Sequence, residues 1–560
     1  MIENINLILV TEESMILENG NDISLSLAMG IISSYLQEKG INVVINDTNK
    51  IATNHNFTNE ELEIIGLAYD KERVLNYIET GQDKDMDTIA RMLLGDSYKG
   101  YDSYGISIGA DFSMLQLHLG FIFATFLRKL NKPIFIGGNN ISYLYIFKEF
   151  YHDLLYALIP KFPFIMKGPG EQIIWELIDG LNCNKPSEYF DTMDSLLRIV
   201  DGEVISNKER EPMVIRPNWD GLEMNDYGYP FGTDKRENEN IYYRFPLSLT
   251  NKVITFNKMN RKERKIIIPY IFNYNCIYNC AFCTQSDSDR SGLIVGEVNK
   301  VIDDIEYLSK KYDSNYFYFL NNYFPSSLKY IKEFRDELKN RNLEIYWSDC
   351  ARVNGLTLEK LQILYDCGCR KLVFGFESGS EKILNLIDKR LNLNELLNVL
   401  KWCKEVGIWA DVEVIIGLPY EREEEFLETY NLLDKNRDLI NNFWLNEYFV
   451  VPNSLIGKYP NHYGVELLKD RTTYSDIMKH NRIGFEEKNY LNLTSNARLW
   501  GFNEVNEDSR NYEDIKLQNR DKIVRMSKLY NSEFNQLFDF YTKMIKIRKS
   551  KKQMRAIEIS

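Results

Sequence analysis

The chain has 560 residues, a formal net charge of −13 and a pI near 5.2. That length predicts roughly three or four domains, and the acidic balance excludes a general electrostatic attraction to nucleic acid. Eight cysteines and an N-terminus with no basic-then-apolar leader point to a reducing, cytoplasmic interior rather than a disulfide framework.

Residues 5–10 read as a short buried strand. Residues 22–39 follow as a helix with Leu25, Met29, Ile32 and Leu36 on one face and Gly40 as its cap. Residues 41–45 form the next strand, and 54–94 a helical insertion. A second set comprises strand 104–108, helix 112–130 and strand 134–136, ending in Gly137-Gly138. The apolar stretch 115–127 carries His118 and is too short to span a bilayer, so no membrane span is expected. Strands alternating with helices predict a Rossmann-like, doubly wound parallel sheet over residues 1–185, with ligands at the carboxyl ends of its strands.

Residues 186–262 form a polar connector with Pro212, Pro217, Pro230 and the charged stretch 234–239. Connections this long are uncommon unless functional or disordered. The segment from Arg216 to Tyr227 reads either as a strap over an interface or as a passive tether.

A buried strand at 266–272 then leads into Asn275-Cys276-Ile277-Tyr278-Asn279-Cys280-Ala281-Phe282-Cys283. Three thiolates so close in sequence can converge on one metal centre, one ligand short of a closed four-thiolate cluster or structural zinc site. A zinc site with a distant fourth ligand and three unrelated core thiols are the competing readings; three cysteines within eight residues count against packing alone. Val298, Val301, Ile302, Ile305 and Leu308 form the stripe of the next helix. Further strands at 316–320, 343–347, 371–376, 411–416 and 443–450 alternate with amphipathic helices. Six such units over 263–460 make a partial (β/α)6 barrel, with its chemistry at the strand carboxyl ends. Cys350, Cys367, Cys369 and Cys403 read as packing rather than a second cluster. Asp411 and Glu413 share one face of a strand and are candidates to bind substrate or move a proton if that face lines the barrel. Residues 461–560 predict a mainly helical cap closed by Phe534, Leu537, Phe538, Tyr541 and Ile545, with a solvated basic tail at 546–555.

The cysteine spacing, with an aromatic before the last thiol, resembles the signature of the radical S-adenosylmethionine (SAM) superfamily. The resemblance implies a [4Fe-4S] cluster held by Cys276, Cys280 and Cys283, with Phe282 beside the cofactor. SAM is chelated on the open iron and cleaved by one electron to a 5′-deoxyadenosyl radical, the electron coming from a donor such as flavodoxin or ferredoxin. The N-terminal layout, with Ile136-Gly137-Gly138 and Lys167-Gly168-Pro169-Gly170-Glu171, looks like the cobalamin-binding domain fused to one large class of these enzymes. There Gly137 and Gly138 would let backbone approach the cofactor's tail. The Arg216–Tyr227 segment resembles that class's linker.

The barrel motifs carry further implications. Asn321 and Asn322 stand where relatives have an acidic pair that accepts from the SAM ammonium; an amide accepts without the charge assistance. Arg352 matches a basic residue that pairs with the SAM carboxylate or a substrate anion, against the reading of a solvated loop arginine. Gly375-Phe376-Glu377-Ser378-Gly379-Ser380 resembles the Gly-x-Glu-Ser-Gly signature, giving Glu377 and Ser378 polar contacts to ribose and methionine. Gly417, in Ile415-Ile416-Gly417-Leu418-Pro419, matches a turn beside adenine. The chain departs from other cobalamin proteins in lacking Asp-x-His-x-x-Gly; His55, His118 and His152 stand in other contexts.

The implied function is a cobalamin-dependent methyltransferase acting on an unactivated carbon of a peptide or small molecule. The alternative is a radical SAM enzyme with an unused cobalamin domain, catalysing rearrangement, epimerisation or crosslinking. A tRNA methylthiotransferase would need an N-terminal cluster, but Cys183 is the only cysteine before Cys276. A cobalamin sensor would not need the open cluster.

Overall fold

Two parallel sheets organise the chain. The computed structural model describes every residue except 18–22, 110–113, 150, 228, 231–263, 286–291, 469–499, 507 and 530–560. The charged stretch 234–239, the closing helix expected around Phe534–Ile545 and the basic run 546–555 therefore lie outside the described residues. The chain divides into two compact units, one principally Met1–Phe231, the other principally Ile271–Thr472 with Arg482–Ser560. Among the described residues, no helix is long and apolar enough to cross a membrane.

In the first unit the elements are β1 (Asn4–Leu9), α1 (Leu27–Glu38), β2 (Asn42–Asp47), β3 (Ser103–Ser107), α2 (Met114–Arg128), β4 (Ile134–Gly137) and α3 (Glu171–Asn182). The strands run parallel in the order β2-β1-β3-β4, with Asn4 opposite Asn42 and Ile5 opposite Ser103 on the two sides of β1. A single parallel bridge from Ile136 to Ile165 extends the sheet. This is a doubly wound order whose switch point lies between β1 and β3. The helix expected from residue 22 begins at Leu27, where the Ser26 hydroxyl accepts from Met29 N–H (3.4 Å) and fixes the start.

Every residue of α2 from Met114 to Leu127 is buried. Its apolar character on all sides has a packing cause: one side meets β3 and β4, and the other meets the inserted helices Lys71–Thr80 and Lys84–Leu94. His118 is part of that packing. Its Nδ1 lies 2.5 Å from the Ala68 carbonyl oxygen, and burial pushes its pKa down to about 4.

The segment from Asn218 to Tyr227 is no loose tether. Trp219 is fully buried, donates from Nε1 to the Ser26 carbonyl (2.7 Å), and lies where a β-carbon on Gly30 would stand 2.6 Å from its ring. Tyr227 donates its phenol to Asp47 at the end of β2 (2.9 Å). Burial raises the Asp47 carboxyl to about 6, against the lowering pull of the Tyr227 phenol, the Asn49 and Lys50 amides and the Lys50 charge. A folded pKa above the unfolded value of 3.8 means the folded state binds the proton more tightly. Stability should therefore fall as pH rises from about 4 to about 6, by roughly 3 kcal/mol for this group. Asp47→Asn should flatten that slope in urea unfolding followed between pH 4 and 7; an unchanged slope would exclude Asp47 as its source.

The second sheet contains β5 (Ile267–Tyr270), β6 (Tyr316–Phe319), β7 (Tyr346–Ala351), β8 (Cys369–Glu377), β9 (Trp409–Ile416) and β10 (Asn442–Glu447) in the order β10-β9-β8-β7-β6-β5. Strands β6 to β10 are parallel neighbours. Helices α4 (Val298–Tyr312), α5 (Leu328–Asn340), α6 (Leu358–Asp366), α7 (Leu393–Val406) and α8 (Glu423–Lys435) alternate with them. Strand β7 begins later than the apolar run at 343–347 suggests. Leu343 N–H still bonds the Leu338 carbonyl (2.9 Å) behind a left-handed Asn342, finishing the preceding helix. The ladder consequently takes in Ser348 to Ala351 and leaves Arg352 directly at the strand's end. The described C-terminal region pairs Val465–Leu468 with Gly501–Glu504 as an antiparallel ribbon, followed by helix α9 (Tyr512–Leu529).

Candidate active site

The three-cysteine loop is pinned from several sides. Asn321 Oδ1 accepts from the N–H groups of Phe272 (3.0 Å) and Asn273 (2.9 Å), where the chain leaves β5. Asn275 turns the chain through a left-handed conformation (φ 66°) into Cys276. Farther on, Ala281 N–H donates to the Ile387 carbonyl (2.8 Å), and the Ala281 carbonyl accepts from Ile456 N–H (3.0 Å). Cys280 is buried, while Cys276 and Cys283 are partly exposed. The Cys283 thiol is pushed up to about 11, chiefly by burial, with Cys280 and Cys276 acting in the same direction. The three thiols thus share one electrostatic environment. As the side chains stand, neither they nor any other described His, Cys, Asp or Glu side chains form a closed metal-ligand group of three. The donor set suits a soft metal centre that itself displaces the thiol protons.

Arg352 is not a solvated loop arginine. Its guanidinium lies 3.5 Å from the centre of the Tyr278 ring, donates to Cys280 Sγ (3.5 Å) and is anchored on the Lys389 carbonyl (2.7 Å). Glu377 stands at the end of β8, in a register shift and with φ 64°. Its carboxylate pairs with Lys389 Nζ at 2.6 Å, both groups being buried, and Lys389 Nζ lies 5.7 Å from the Phe282 ring centre. Gly375 makes the room: a β-carbon there would meet Lys389 Nζ at 2.5 Å and Glu377 Oε1 at 2.7 Å. Cys280, Phe282, Arg352, Lys389 and Glu377 therefore form one contiguous set.

Other expected residues take different places. The Asn321 oxygen is engaged by the two N–H groups, and its nitrogen donates to the buried Asp349 (2.7 Å), so its amide frames the loop. Asn322 donates to Gln285 on the cysteine loop (3.4 Å). The Ser378 hydroxyl is fully buried, faces Thr429 Oγ1 on α8 (3.2 Å) and accepts from Ser380 N–H. Gly417 adopts φ 80°, and a β-carbon there would stand 2.2 Å from Asn519 Nδ2; α9 thus lies against the turn expected beside adenine. That helix is tied down by a buried Lys522–Glu421 pair (2.6 Å). In the first unit, Gly138 adopts φ 103°, and its β-carbon would meet the Ile108 carbonyl oxygen at 2.3 Å. What presses on this glycine is the chain's own backbone at the end of β3.

Cys367 and Cys403, both buried, have thiols raised to about 12, and Cys350 and Cys369 are pushed above the ordinary range, all chiefly by burial. They are packing residues. Lys389 follows the Gly-x-Glu-Ser-Gly segment with no marker of its own, and nothing in the sequence pointed to Asn519.

A parallel partial barrel with a three-thiol loop after its first strand follows a doubly wound sheet along the chain. Residues 270–433 match the family model of the radical SAM superfamily, and the chain carries a radical SAM domain. An uncharacterised methyltransferase of Pyrococcus horikoshii is 23% identical over 59% of this chain and 64% of its own length. The anaerobic magnesium-protoporphyrin IX monomethyl ester cyclase of Rubrivivax gelatinosus is 24% identical over 55% of this chain and 50% of its own. The matches thus span between half and two thirds of these relatives. The fold resembles that of the radical SAM methyltransferase TsrM from Kitasatospora setae, solved with cobalamin and a [4Fe-4S] cluster bound. There the TM-score is 0.54 at 13% identity, covering 84% of this chain and 81% of that one. It also resembles the cobalamin-dependent radical enzyme OxsB, solved with aqua-cobalamin and SAM bound, at a TM-score of 0.50 and 16% identity over 87% of this chain and 56% of that one.

Proposed function

We propose that the protein is a cobalamin-dependent radical SAM enzyme that methylates an unactivated carbon of a small molecule or peptide. The observation carrying this reading is the three-thiol loop, locked by Asn321, Ile387 and Ile456, in a chain that also folds a doubly wound sheet. Bound at Cys276, Cys280 and Cys283, a [4Fe-4S] cluster would supply the electron that cleaves SAM, and cobalamin in the first unit would carry the methyl group.

The chain's own residues would do the rest. Arg352 holds Cys280 and Tyr278 in place and presents positive charge beside the thiols, which suits a carboxylate-bearing ligand. Lys389 fixes the Glu377 carboxylate beside Phe282, ready to accept from hydroxyl or ammonium groups of SAM. Helix α9 covers the turn at Gly417 and limits water there. Two histidines of the first unit are otherwise engaged and would not be presented to a bound cobalamin: His118 is buried on the Ala68 carbonyl, and His55 bonds Glu61 (3.0 Å). The reducing electron would come from a flavodoxin- or ferredoxin-type partner.

A second reading is hydrogen abstraction for rearrangement with the first unit empty of cofactor. It is favoured by Gly138, whose tight fit is with Ile108 rather than open space. Anaerobic reconstitution with iron, sulfide and hydroxocobalamin, followed by metal analysis, separates the two. Near-stoichiometric cobalt with about four irons per chain supports the methyltransferase. Iron without cobalt, together with 5′-deoxyadenosine release, supports the second reading, and neither metal would sink both.

A further inference from the structure

The inner face of the barrel sheet is polar where a parallel barrel is ordinarily filled by branched aliphatic side chains. In register, Gly375 on β8 stands opposite Glu413 on β9, which stands opposite Trp444 on β10; one layer down, Val373, Asp411 and Asn442 are in line. Side chains alternate along a strand, so these residues share one face, with Ser348 on β7 and Lys371 on β8 below them. The intervening residues Ala410, Val412, Val414 and Ile416 are buried, and helix α7 contacts β9.

Two of the three carboxylates at this level already have cations. Asp411 is paired with Lys371 (2.7 Å) and accepts from the indoles of Trp409 (2.6 Å) and Trp444 (3.0 Å). Glu377 holds Lys389. Glu413 keeps some exposure and meets only the amide of Asn446 (2.8 Å), with no ion pair among the described residues. Also on this face, Ser348 Oγ and Asn442 Oδ1 belong to residues 0% and 6% exposed and have no hydrogen-bond partner, and the buried Lys371 Nζ has only its ion pair with Asp411. A carboxylate without a cation and an amide oxygen without a donor, next to the strand position of Trp444, suit a ligand that donates and carries positive charge, which describes an alkylammonium group.

We propose that the barrel interior takes a substrate bearing a protonated amine, with Glu413 as its carboxylate partner. The inference rests on the reading of the barrel as the reaction chamber. Burial is the main cause that pushes the Glu413 carboxyl up to about 8; the charges of Glu377 and Asp411 push the same way, while the Asn446 amide and Lys371 oppose. Lys371 is held by Asp411 and Lys389 by Glu377. Glu413 therefore carries a proton at neutral pH until a cation arrives, and on binding it the carboxyl ionises and releases that proton to solvent.

The test is calorimetric titration of the reconstituted protein at pH 7 with benzylamine and benzyl alcohol, in two buffers of different ionisation enthalpy. Benzylamine should bind about tenfold more tightly than the alcohol and release close to one proton, and Glu413→Gln should lose both effects. Glu413→Asp, which keeps the charge, should retain the amine preference. Equal affinity for the two probes, no amine binding up to about 20 mM, or a preference that survives in Glu413→Gln would overturn the proposal. Failure of the wild type to load iron or cleave SAM, with the amine preference intact, would instead remove the enzymatic reading alone.

Discussion

Cys283→Ala should reduce the iron held after anaerobic reconstitution from about four per chain to below one and abolish SAM cleavage. The loop supplies three thiols and no fourth, and two thiols would leave two irons of a cubane without thiolate anchors. Cys283 is the most telling of the three, because its thiol is raised to about 11 by burial and by its two neighbours. A bound metal centre supplies the positive charge that stabilises thiolates there. Cys276→Ala and Cys280→Ala should behave alike, and Cys280→Ala also deprives Arg352 of its sulfur acceptor. Cys403→Ala and Cys367→Ala serve as controls that keep full iron content, since both thiols are buried among packing residues. Elemental analysis and the EPR signal of the reduced protein read the outcome. Four irons retained in Cys283→Ala would place the ligands elsewhere and defeat the assignment.

The sequence made some links of this structure plain and hid others for a physical reason. Most strands of both sheets announce themselves as apolar runs, because a parallel sheet covered on both faces is largely apolar on both, and β9 with Asp411 and Glu413 is an exception. The helices follow from their stripes, and the thiol loop from spacing alone. Partner choice is different, since it depends on where distant segments approach. Asn321 looks like a ligand-binding amide in sequence, yet it closes onto Phe272 and Asn273, 49 and 48 residues away. Arg352 gave no sign of stacking on Tyr278, and nothing local to Lys389 says that its carbonyl holds Arg352 while its ammonium holds Glu377. The polar barrel interior was half legible. Asp411 and Glu413 were visibly on one face, but only the register with Lys371 and Trp444 separates the neutralised carboxylate from the one without a cation.

The Lys371–Asp411 pair should show the largest stability effect outside the cysteine loop. Both side chains are 0% exposed and 2.7 Å apart. Lys371→Met leaves the Asp411 carboxylate buried without a counter-ion and should cost about 3–5 kcal/mol, the usual loss when one partner of a buried pair is removed. The indoles of Trp409 and Trp444 still donate to Asp411 and place the expected value toward the lower end of that range. Replacing both residues, Lys371→Met with Asp411→Leu, removes the charge along with its partner. The double variant should regain most of the loss and can equal the wild type, since a well-packed apolar pair avoids the desolvation cost that a buried ion pair carries. Urea unfolding of the three proteins decides the matter. A loss in Lys371→Met with no recovery in the double variant would mean that the pair holds the barrel through side-chain packing volume and not through charge neutralisation.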